Sequence, residues 1–496
     1  MRRFAGSVCL LTACFVQVPA FAAPQEPAPA PRMIAPPSPD LPLEQRMEQA
    51  LATLQPNLQV AGRTYAPRTL LEIMARNKVP AVSIAVIENG RLAWARAYGM
   101  ADPAAGRAAT TETMFQAASI SKPVAATAAL ALVDQGLLNL ERPVNEQLTS
   151  WKIPGHQFGQ EVTLRHLLTH TAGLTVHGFP GYRSEGPFPT LVQVLNGEAP
   201  ANTAAVRVDQ QPGSAWRYSG GGITVAQLLM ADAAREDFPA LMDRLVLTPI
   251  GMANSTFSQP LPEARTGGIA VAHDSKGQPI AGRYHVYPEM AAAGLWTTPT
   301  DLAKWAVAIS SAFKGEAGGP IRPETAVAML TPGKGDWGLG VGVNGEGEGL
   351  RFSHSGANEG FRTILIAHPR QGQGVVIMTN SDEGAKLFGA IIPAVGRMFG
   401  WPRSQPRILT PTRVSDASRN GKVGRYANDT LSVHVGTTDD GLVVVPNVGA
   451  EFVVIPQGDD VYVSPDNGFR VEFKRDSRSN GIEALTVAGS TLRRMP

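Results

Sequence analysis

The chain has 496 residues, 43% of them hydrophobic and 17% charged, and a formal net charge of +2 at pH 7. That length is too great for one compact core, so a globular protein of two or more domains is expected. The nearly balanced charge, without a basic run that carries interleaved aromatic residues, excludes nucleic acid from the predicted partners.

The N-terminus has the three parts of a secretory signal peptide. Arg2 and Arg3 form a basic start, Phe4–Val18 is apolar, and Ala20-Phe21-Ala22 is a small-residue cleavage site. This order predicts a signal peptide over residues 1–22 and a periplasmic or secreted protein. The apolar run is shorter than the roughly 20 residues of a membrane-spanning helix, so no transmembrane span is expected.

Both cysteines, Cys9 and Cys14, lie in this segment. Leu11-Thr12-Ala13-Cys14 also resembles a lipoprotein box, and lipidation of Cys14 is the alternative that would anchor the protein to a membrane. If cleavage follows Ala22 instead, the mature chain has no cysteine, and neither a disulfide nor a thiol nucleophile is expected.

The next segments predict a tether, a helix and a hairpin. Residues 23–42 are rich in Pro and Ala without a periodic apolar face, which is typical of an extended tether. Leu43–Leu54 has a helical pattern. Asn89-Gly90 separates the apolar run Ala81–Ile87 from the alternating run Arg91–Tyr98. This arrangement predicts a β-hairpin in an antiparallel sheet flanked by helices.

Ser119-Ile120-Ser121-Lys122 begins an apolar helical pattern that extends to Gln135. Residues three apart on a helix are neighbours, so Lys122 is expected beside Ser119. A neutral amine there can take the hydroxyl proton, which makes Ser119 the candidate nucleophile and Lys122 its base. The N–H groups at the helix start would stabilise an oxyanion. Ser121 is the nearest competitor, but no basic residue follows it three positions later.

Residues 125–251 carry mostly helical patterns and predict an α-rich lobe. His166 and His170 are spaced four apart on one of these predicted helices. Leu167 stands where the zinc-protease motif H-E-x-x-H has Glu, and no third ligand is evident, so both histidines are interpreted as structural. No metal and no organic cofactor are expected.

Two later segments also contain candidate polar residues. Trp216-Arg217-Tyr218-Ser219-Gly220 lies in a Gly-rich turn, and His354-Ser355-Gly356-Ala357 precedes the extended stretch Gly360–Ala367. That stretch and the apolar run Val375–Asn380 are predicted to rejoin the sheet begun at Ala81, with the α-rich lobe inserted between the two halves.

The end of the chain changes in character. Residues 401–413 contain three prolines and predict a linker. Residues 414–496 contain six short alternating runs between turn residues, which predict a small all-β barrel or sandwich. The six runs are Leu431–Val435, Gly441–Val445, Glu451–Ile455, Asp460–Val463, Arg470–Lys474 and Ile482–Val487.

Taken in order, the Ser119, Tyr218 and His354 segments resemble the three active-site elements of the serine β-lactamase and penicillin-binding-protein superfamily. The Tyr in the second element resembles the class C branch, which includes D-alanyl-D-alanine carboxypeptidases, D-aminopeptidases and family VIII esterases. The resemblance extends to Thr163–Leu174 and Gly294–Leu302 and assigns residues 43–400 to one hydrolase domain. Residues 414–496 resemble a lipocalin-like module that some relatives append.

The resemblance implies a role for each site residue. Tyr218 would pass a proton between the nucleophile and the leaving group. His354 stands where β-lactamases have Lys, and it would bind a substrate carboxylate when protonated or steer Tyr218. Ser355 and Gly356 would bind substrate, since a glycine lets the substrate backbone approach closely.

The N–H groups of Ser119 and Ala357 would form the oxyanion hole. The chain departs from the class C pattern at Gly220, where those enzymes have an Asn whose amide contacts the acyl group of the substrate. Turnover of β-lactams is therefore expected to be weak.

These observations predict an α+β fold with an α-rich lobe and a small all-β C-terminal domain. The predicted function is an exported serine hydrolase that acts through a Ser119 acyl-enzyme. Its partner would be a small-molecule or peptide substrate, either a peptide or amide of D-amino-acid type or a small ester. The alternative is a penicillin-binding or sensor-like protein that is acylated without efficient turnover. Retention of Ser119, Lys122 and Tyr218 together argues against a degenerate scaffold.

Overall fold

The computed structural model describes residues 35–496 except 402–403, 429–430, 448–450, 466–467 and 488. The predicted signal peptide, both cysteines and residues 23–34 of the predicted tether lie outside the described residues. Within residues 35–496 and those gaps, no helix combines the length and the apolar character that crossing a membrane requires.

The secondary structure alternates between a β-rich frame and a helical lobe. Helices α1 to α14 are, in chain order, Leu43–Ala52, Leu70–Arg76, Ser121–Asp134, Val144–Gln147, Leu164–Leu168, Leu191–Asn196, Gly220–Ala234, Phe238–Met242, Thr248–Ile250, Met290–Ala293, Pro299–Phe313, Pro323–Met329, Ala385–Phe399 and Asp416–Asn420. Strands β1 to β21 are Leu58–Val60, Ala81–Glu88, Arg91–Asp102, Arg107–Ala108, Phe115–Gln116, Tyr182–Arg183, His285–Val286, Trp296–Thr297, Gly342–Asn344, Arg351–Asn358, Phe361–His368, Gln373–Thr379, Arg407–Leu409, Gly424–Ala427, Ser432–Thr438, Gly441–Pro446, Phe452–Pro456, Val461–Val463, Arg470–Arg475, Ile482–Val487 and Ser490–Arg494. Short 3₁₀ turns occupy Ala118–Ile120, Glu263–Gly268, Lys334–Asp336 and Gly347–Gly349.

The main sheet joins the two ends of the predicted hydrolase domain. In the described chain it contains seven strands in the order β4-β3-β2-β12-β11-β10-β9. Its central ladder pairs β2 with β12 in antiparallel fashion, from Gly374 opposite Ile87 to Thr379 opposite Val82. Helices α3 to α10 lie between these halves in sequence and form the α-rich lobe. The predicted α+β fold is therefore confirmed, including the insertion of the lobe.

The β2–β3 hairpin forms where the Asn-Gly pair predicts it. Asn89 and Gly90 have φ angles of 54° and 69°. A two-residue hairpin turn requires positive φ at both positions, which Asn and Gly adopt at low cost. The turn fixes the register in which Glu88 pairs with Arg91.

Both faces of the sheet are buried, and alternation along β2 assigns its side chains to two cores. Val82, Ile84 and Val86 pack with α1, α2 and α13, whereas Ala81 and Ala85 face the core shared with α3 and α11. The small alanines on that second face leave room for α11, which packs against β2.

The C-terminal region is a closed barrel of eight strands among the described residues, β14 to β21 in sequence order. This up-and-down connection is the lipocalin arrangement. The sequence patterns indicate six of the strands but miss β14 and β21, because each of these buries only one residue, Tyr426 and Leu492 respectively. The predicted linker also contains a strand, since β13 pairs in parallel with β1.

Candidate active site

Ser119 lies on a tight turn that leads into α3. The 3₁₀ turn Ala118–Ile120 precedes the helix, which begins at Ser121, two residues later than the sequence pattern predicts. Ala118 has a φ of 50°, a left-handed conformation that is costly for a residue with a Cβ. Such strain recurs at functional sites, where the surrounding structure holds it. Here it places the half-buried Ser119 at the base of a site rather than inside a regular helix.

Lys122 approaches Ser119 as the i, i+3 spacing predicts. Its Nζ lies 3.0 Å from the Oγ of Ser119 and donates to the carbonyl oxygen of Ala292 at 2.7 Å. The Lys122 side chain is only 2% exposed. Because α10 ends at Ala293, the Ala292 carbonyl is one of those a helix end leaves without an internal partner. This second contact orients the amine, and no pattern in the sequence predicts it.

Ser121, the competing serine, has a structural task. Its hydroxyl donates to the Ala118 carbonyl at 2.6 Å and accepts from the Leu295 N–H at 3.0 Å. It is fully buried. Ser121 therefore ties the strained turn to the start of β8, and its oxygen is not available for attack on a substrate.

Tyr218 stands over the same amine. The Nζ of Lys122 lies 5.0 Å from the centroid of the Tyr218 ring, within range of a cation–π contact. Ser219, the next residue, caps α7 by accepting from the Gly222 N–H at 2.9 Å. The cap fixes the backbone just after Tyr218, so the phenol is held by both its ring contacts and the helix start.

His170 packs against Tyr218, although the sequence pattern indicates a structural residue outside the site. Their ring centroids are 4.3 Å apart. The predicted helical spacing of His166 and His170 is wrong, because α5 ends at Leu168 and His170 has a φ of 56°. Its Nδ1 accepts from the Ser219 N–H at 3.2 Å, which places the imidazole proton on Nε2. Burial, and then the charge of Lys122, hold the pKa of His170 well below its usual range.

His166 serves the other end of α5. It forms a reciprocal cap with Thr163: the Thr163 N–H donates to Nδ1 of His166, and the His166 N–H donates to Oγ1 of Thr163, both at 3.3 Å. This contact explains His166 as a helix-capping residue, as the structural interpretation of the sequence requires.

His354 is buried in β10 and is neutral. Its Nδ1 donates to the Ser355 carbonyl at 2.6 Å, so the proton is on Nδ1 and the lone pair on Nε2. Burial and then the nearby Lys122 charge lower the pKa of His354 to about 3. At neutral pH the lowered pKa leaves His354 without the positive charge that the predicted carboxylate-binding role requires. A steering role remains, since its ring centroid lies 6.2 Å from that of Tyr218.

This neutral state predicts a loss of stability in acid. The pKa of His354 is lower in the folded protein than the 6.5 of a free imidazole, so the unfolded chain binds the proton more tightly. The contribution of neutral His354 to the unfolding free energy is complete above pH 6.5 and is lost progressively as the pH falls toward 3. Between pH 7 and pH 5 it amounts to about 2 kcal/mol of unfolding free energy.

Urea denaturation of the wild type and His354→Asn at both pH values measures this pH-dependent part of the unfolding free energy. We expect the drop between pH 7 and pH 5 to be smaller in the variant by about that amount. His434→Asn, on the exposed face of the barrel, is the matched control. An equal drop in all three proteins would contradict the neutral assignment.

Gly356 allows the nucleophile turn to pack closely against β10. A Cβ at this position would lie 2.2 Å from the Ala117 carbonyl oxygen and 3.0 Å from the Ala118 Cβ. The absent side chain thus lets the Ala117–Ala118 backbone of the nucleophile turn approach β10. Thr363 reinforces this contact by donating to the Ala117 carbonyl at 2.9 Å. Ser355 and Ala357 alternate with Gly356 and are exposed.

Gly220 is also explained by close packing. A Cβ there would lie 3.0 Å from both the His177 carbonyl oxygen and the Phe179 ring. The space next to this position is therefore filled by a loop that places the His177 ring 4.9 Å from that of Tyr218. Val176, the preceding residue, has a φ of 63°, which is rare for a β-branched side chain. The close approach of this loop explains why position 220 is a glycine.

The sequence matches the family described as Beta-lactamase over residues 67–395. Esterase EstB of Burkholderia gladioli is 34% identical over 220 residues, which are 42% of this chain and 54% of EstB. The match therefore spans about half the length of that relative.

Two solved structures share the fold. The octameric penicillin-binding protein homologue from Pyrococcus abyssi is 22% identical with a TM-score of 0.58, and the match covers 85% of this chain and 98% of that one. D-alanine carboxypeptidase AmpC from Burkholderia cenocepacia is 20% identical with a TM-score of 0.51, over 67% of this chain and 96% of its own.

Proposed function

Because this chain belongs to the beta-lactamase family, we propose that it is a serine hydrolase of uncharged esters that works through an acyl-enzyme on Ser119. The observation that carries the proposal is the buried Lys122 amine, 3.0 Å from the Ser119 hydroxyl. A polar group at this distance can remove the hydroxyl proton. The similarity to a protein named as an esterase supports the choice of an ester.

The reaction follows from the contacts around Ser119. When its amine is neutral, Lys122 takes the Oγ proton as that oxygen attacks the ester carbonyl carbon. The proton then passes by way of Tyr218 to the leaving oxygen, which departs as an alcohol and leaves the acyl group on Ser119. Water then attacks the acyl carbon and the bond from that carbon to the Oγ of Ser119 breaks. The water proton passes by way of Tyr218 and Lys122 to this Oγ, and the acid is released.

The oxyanion of each tetrahedral intermediate would bind the N–H groups of Ser119 and Ala357. Gly356 brings the nucleophile turn against β10 next to Ala357, which supports this assignment. Donors fixed before the reaction stabilise the developing charge without reorganising.

The neutral His354 favours an ester over a peptide that ends in a free carboxylate. A D-amino-acid peptide and a penicillin both carry a carboxylate on the leaving-group side, which needs a cation or charge-assisted donors. Among the described rings that contact Tyr218, the three histidines all have pKa values below the usual range. Of these, His354 stands in the position where β-lactamases have Lys.

A matched pair of substrates tests this choice. O-acetyl-D-lactate and its methyl ester share the acetyl ester bond, whose cleavage is followed as release of acetate, and they differ in one negative charge. We expect kcat/KM to be about 10- to 100-fold higher for the methyl ester, the value of a charged hydrogen bond that the site does not supply. Preference for the free carboxylate, or for N-acetyl-D-alanyl-D-alanine, would overturn the proposal and favour a carboxypeptidase.

Time-resolved intact mass distinguishes turnover from a sensor-like role. A hydrolase should return to its unmodified mass within seconds of substrate exhaustion. A persistent acyl adduct on Ser119 would instead support a protein that is acylated without efficient turnover.

A further inference from the structure

Two tryptophans continue the aromatic surface of Tyr218 toward solvent, and the proposed reaction uses neither. Trp337 lies 5.8 Å from Tyr218 and 5.8 Å from Trp216 between ring centroids. Its ring also meets that of His170 at 5.0 Å, edge to face. Trp216 is 38% exposed, an unusual position for an indole. The two indoles form a wall that extends from the Tyr218 ring to the solvent-exposed surface.

The backbone directs Trp216 toward the site. Residues 216 to 219 are irregular, and Trp216 and Tyr218 both contact His170 and Trp337. Arg217, between them, is instead paired with Asp209. Side chains two residues apart in an extended segment lie on the same face, so Trp216 lies on the side of the chain that Tyr218 occupies.

The exposed indole is also held firmly. Gly335 has a φ of 68°, and a Cβ on it would lie 2.6 Å from Cγ of Trp216, so the indole rests directly on the Gly335 backbone. Lys334 donates to the carbonyl oxygens of Gly213 and Ser214 at 2.5 and 2.9 Å. These hydrogen bonds hold the 3₁₀ turn Lys334–Asp336 against the segment that precedes Trp216. A surface indole fixed in this way needs little ordering when a ligand binds.

We propose that Trp216 and Trp337 form a subsite for an uncharged aromatic ring carried by the ester, an inference that rests on the proposed function. Aromatic rings gain from stacked or edge-to-face contact beyond the area they bury. An indole wall could also attract a quaternary ammonium group. Because the proposed substrate is an uncharged ester, the subsite is assigned to a neutral ring.

The test compares esters that differ only in the aromaticity of one ring. Benzyl acetate and cyclohexylmethyl acetate carry it on the alcohol side, and ethyl phenylacetate and ethyl cyclohexylacetate carry it on the acyl side. In the wild type we expect kcat/KM to favour the aromatic member of one pair by about 5-fold. Trp216→Leu should bring that ratio close to one, Trp216→Phe should keep most of it, and Val327→Ala, an exposed apolar change on α12, should leave it intact.

A ratio near one for both pairs in the wild type would overturn the subsite, as would a ratio that Trp216→Leu does not change. Titration of the tryptophan fluorescence of Ser119→Ala with the same esters measures selective binding without turnover. If no ester is hydrolysed but the aromatic members bind selectively, the proposed function fails and the subsite stands. If esters are hydrolysed without selectivity, only the subsite fails.

Discussion

Replacement of Ser119 with alanine is expected to lower kcat/KM for an uncharged ester by at least about 10⁴-fold, since removal of a catalytic nucleophile has effects of this order or larger. The Oγ of Ser119 is the hydroxyl that faces the buried amine, at 3.0 Å. Intact mass after treatment with a fluorophosphonate gives a second readout, because the wild type should gain one adduct and the variant none.

Ser121→Ala is the matched control for this result. It removes a hydroxyl that accepts from the buried Leu295 N–H, so it should cost about 1–3 kcal/mol of unfolding free energy. The adduct on Ser119 should still form below the melting temperature. An adduct that persists in Ser119→Ala and disappears in Ser121→Ala would identify Ser121 as the nucleophile and contradict the assignment to Ser119.

Replacement of Lys122 with methionine is expected to lower kcat by about 10²- to 10⁴-fold, the usual contribution of a general base. Methionine keeps much of the side-chain length and fills the buried space, but it offers the Ser119 hydroxyl no basic nitrogen. It also leaves the Ala292 carbonyl without its lysine partner, so a moderate loss of stability should accompany the loss of rate. Steady-state kinetics with a small ester, at a temperature where circular dichroism shows the variant to be folded, measures the effect.

The barrel provides a matched control for the loss of a buried lysine. Lys422 is fully buried, donates to the Ser418 carbonyl and hydroxyl at 3.1 and 2.9 Å, and pairs with Asp460 at 3.2 Å. Lys422→Met should therefore lower stability as well, while kcat stays within about 3-fold of wild type. A comparable fall in kcat in both variants would indicate a general folding effect rather than a role for Lys122 in proton transfer.

The site includes residues that the sequence patterns do not indicate. Trp337 and Ala292 are ordinary members of a Gly-rich loop and an alanine run, and no spacing rule connects them to Ser119. His170 lies in a segment that the sequence singles out, but the helical spacing suggests only a metal pair, which its left-handed backbone does not form. The place of a glycine or histidine in a sequence pattern does not identify the residues that contact it in the folded protein.

The sequence by itself determines the features that depend on local geometry. Ser119 and Lys122 are neighbours because they are three residues apart on a helical path, and Asn89-Gly90 turns the hairpin because both residues tolerate positive φ. The alternating runs indicate most of the barrel strands for the same reason, since their period of two needs no distant partner.

Only the tertiary structure decides the protonation state of His354, the contact that Gly356 permits and the packing of His170 on Tyr218. Each depends on burial or on a neighbour far away in sequence, as with Gly356 and Ala117. A pKa is set by desolvation and by nearby charge, and these quantities exist only after distant segments have packed together. The family resemblance places a histidine beside the nucleophile, but the depth of its burial makes that histidine neutral, and this neutrality determines our choice of substrate.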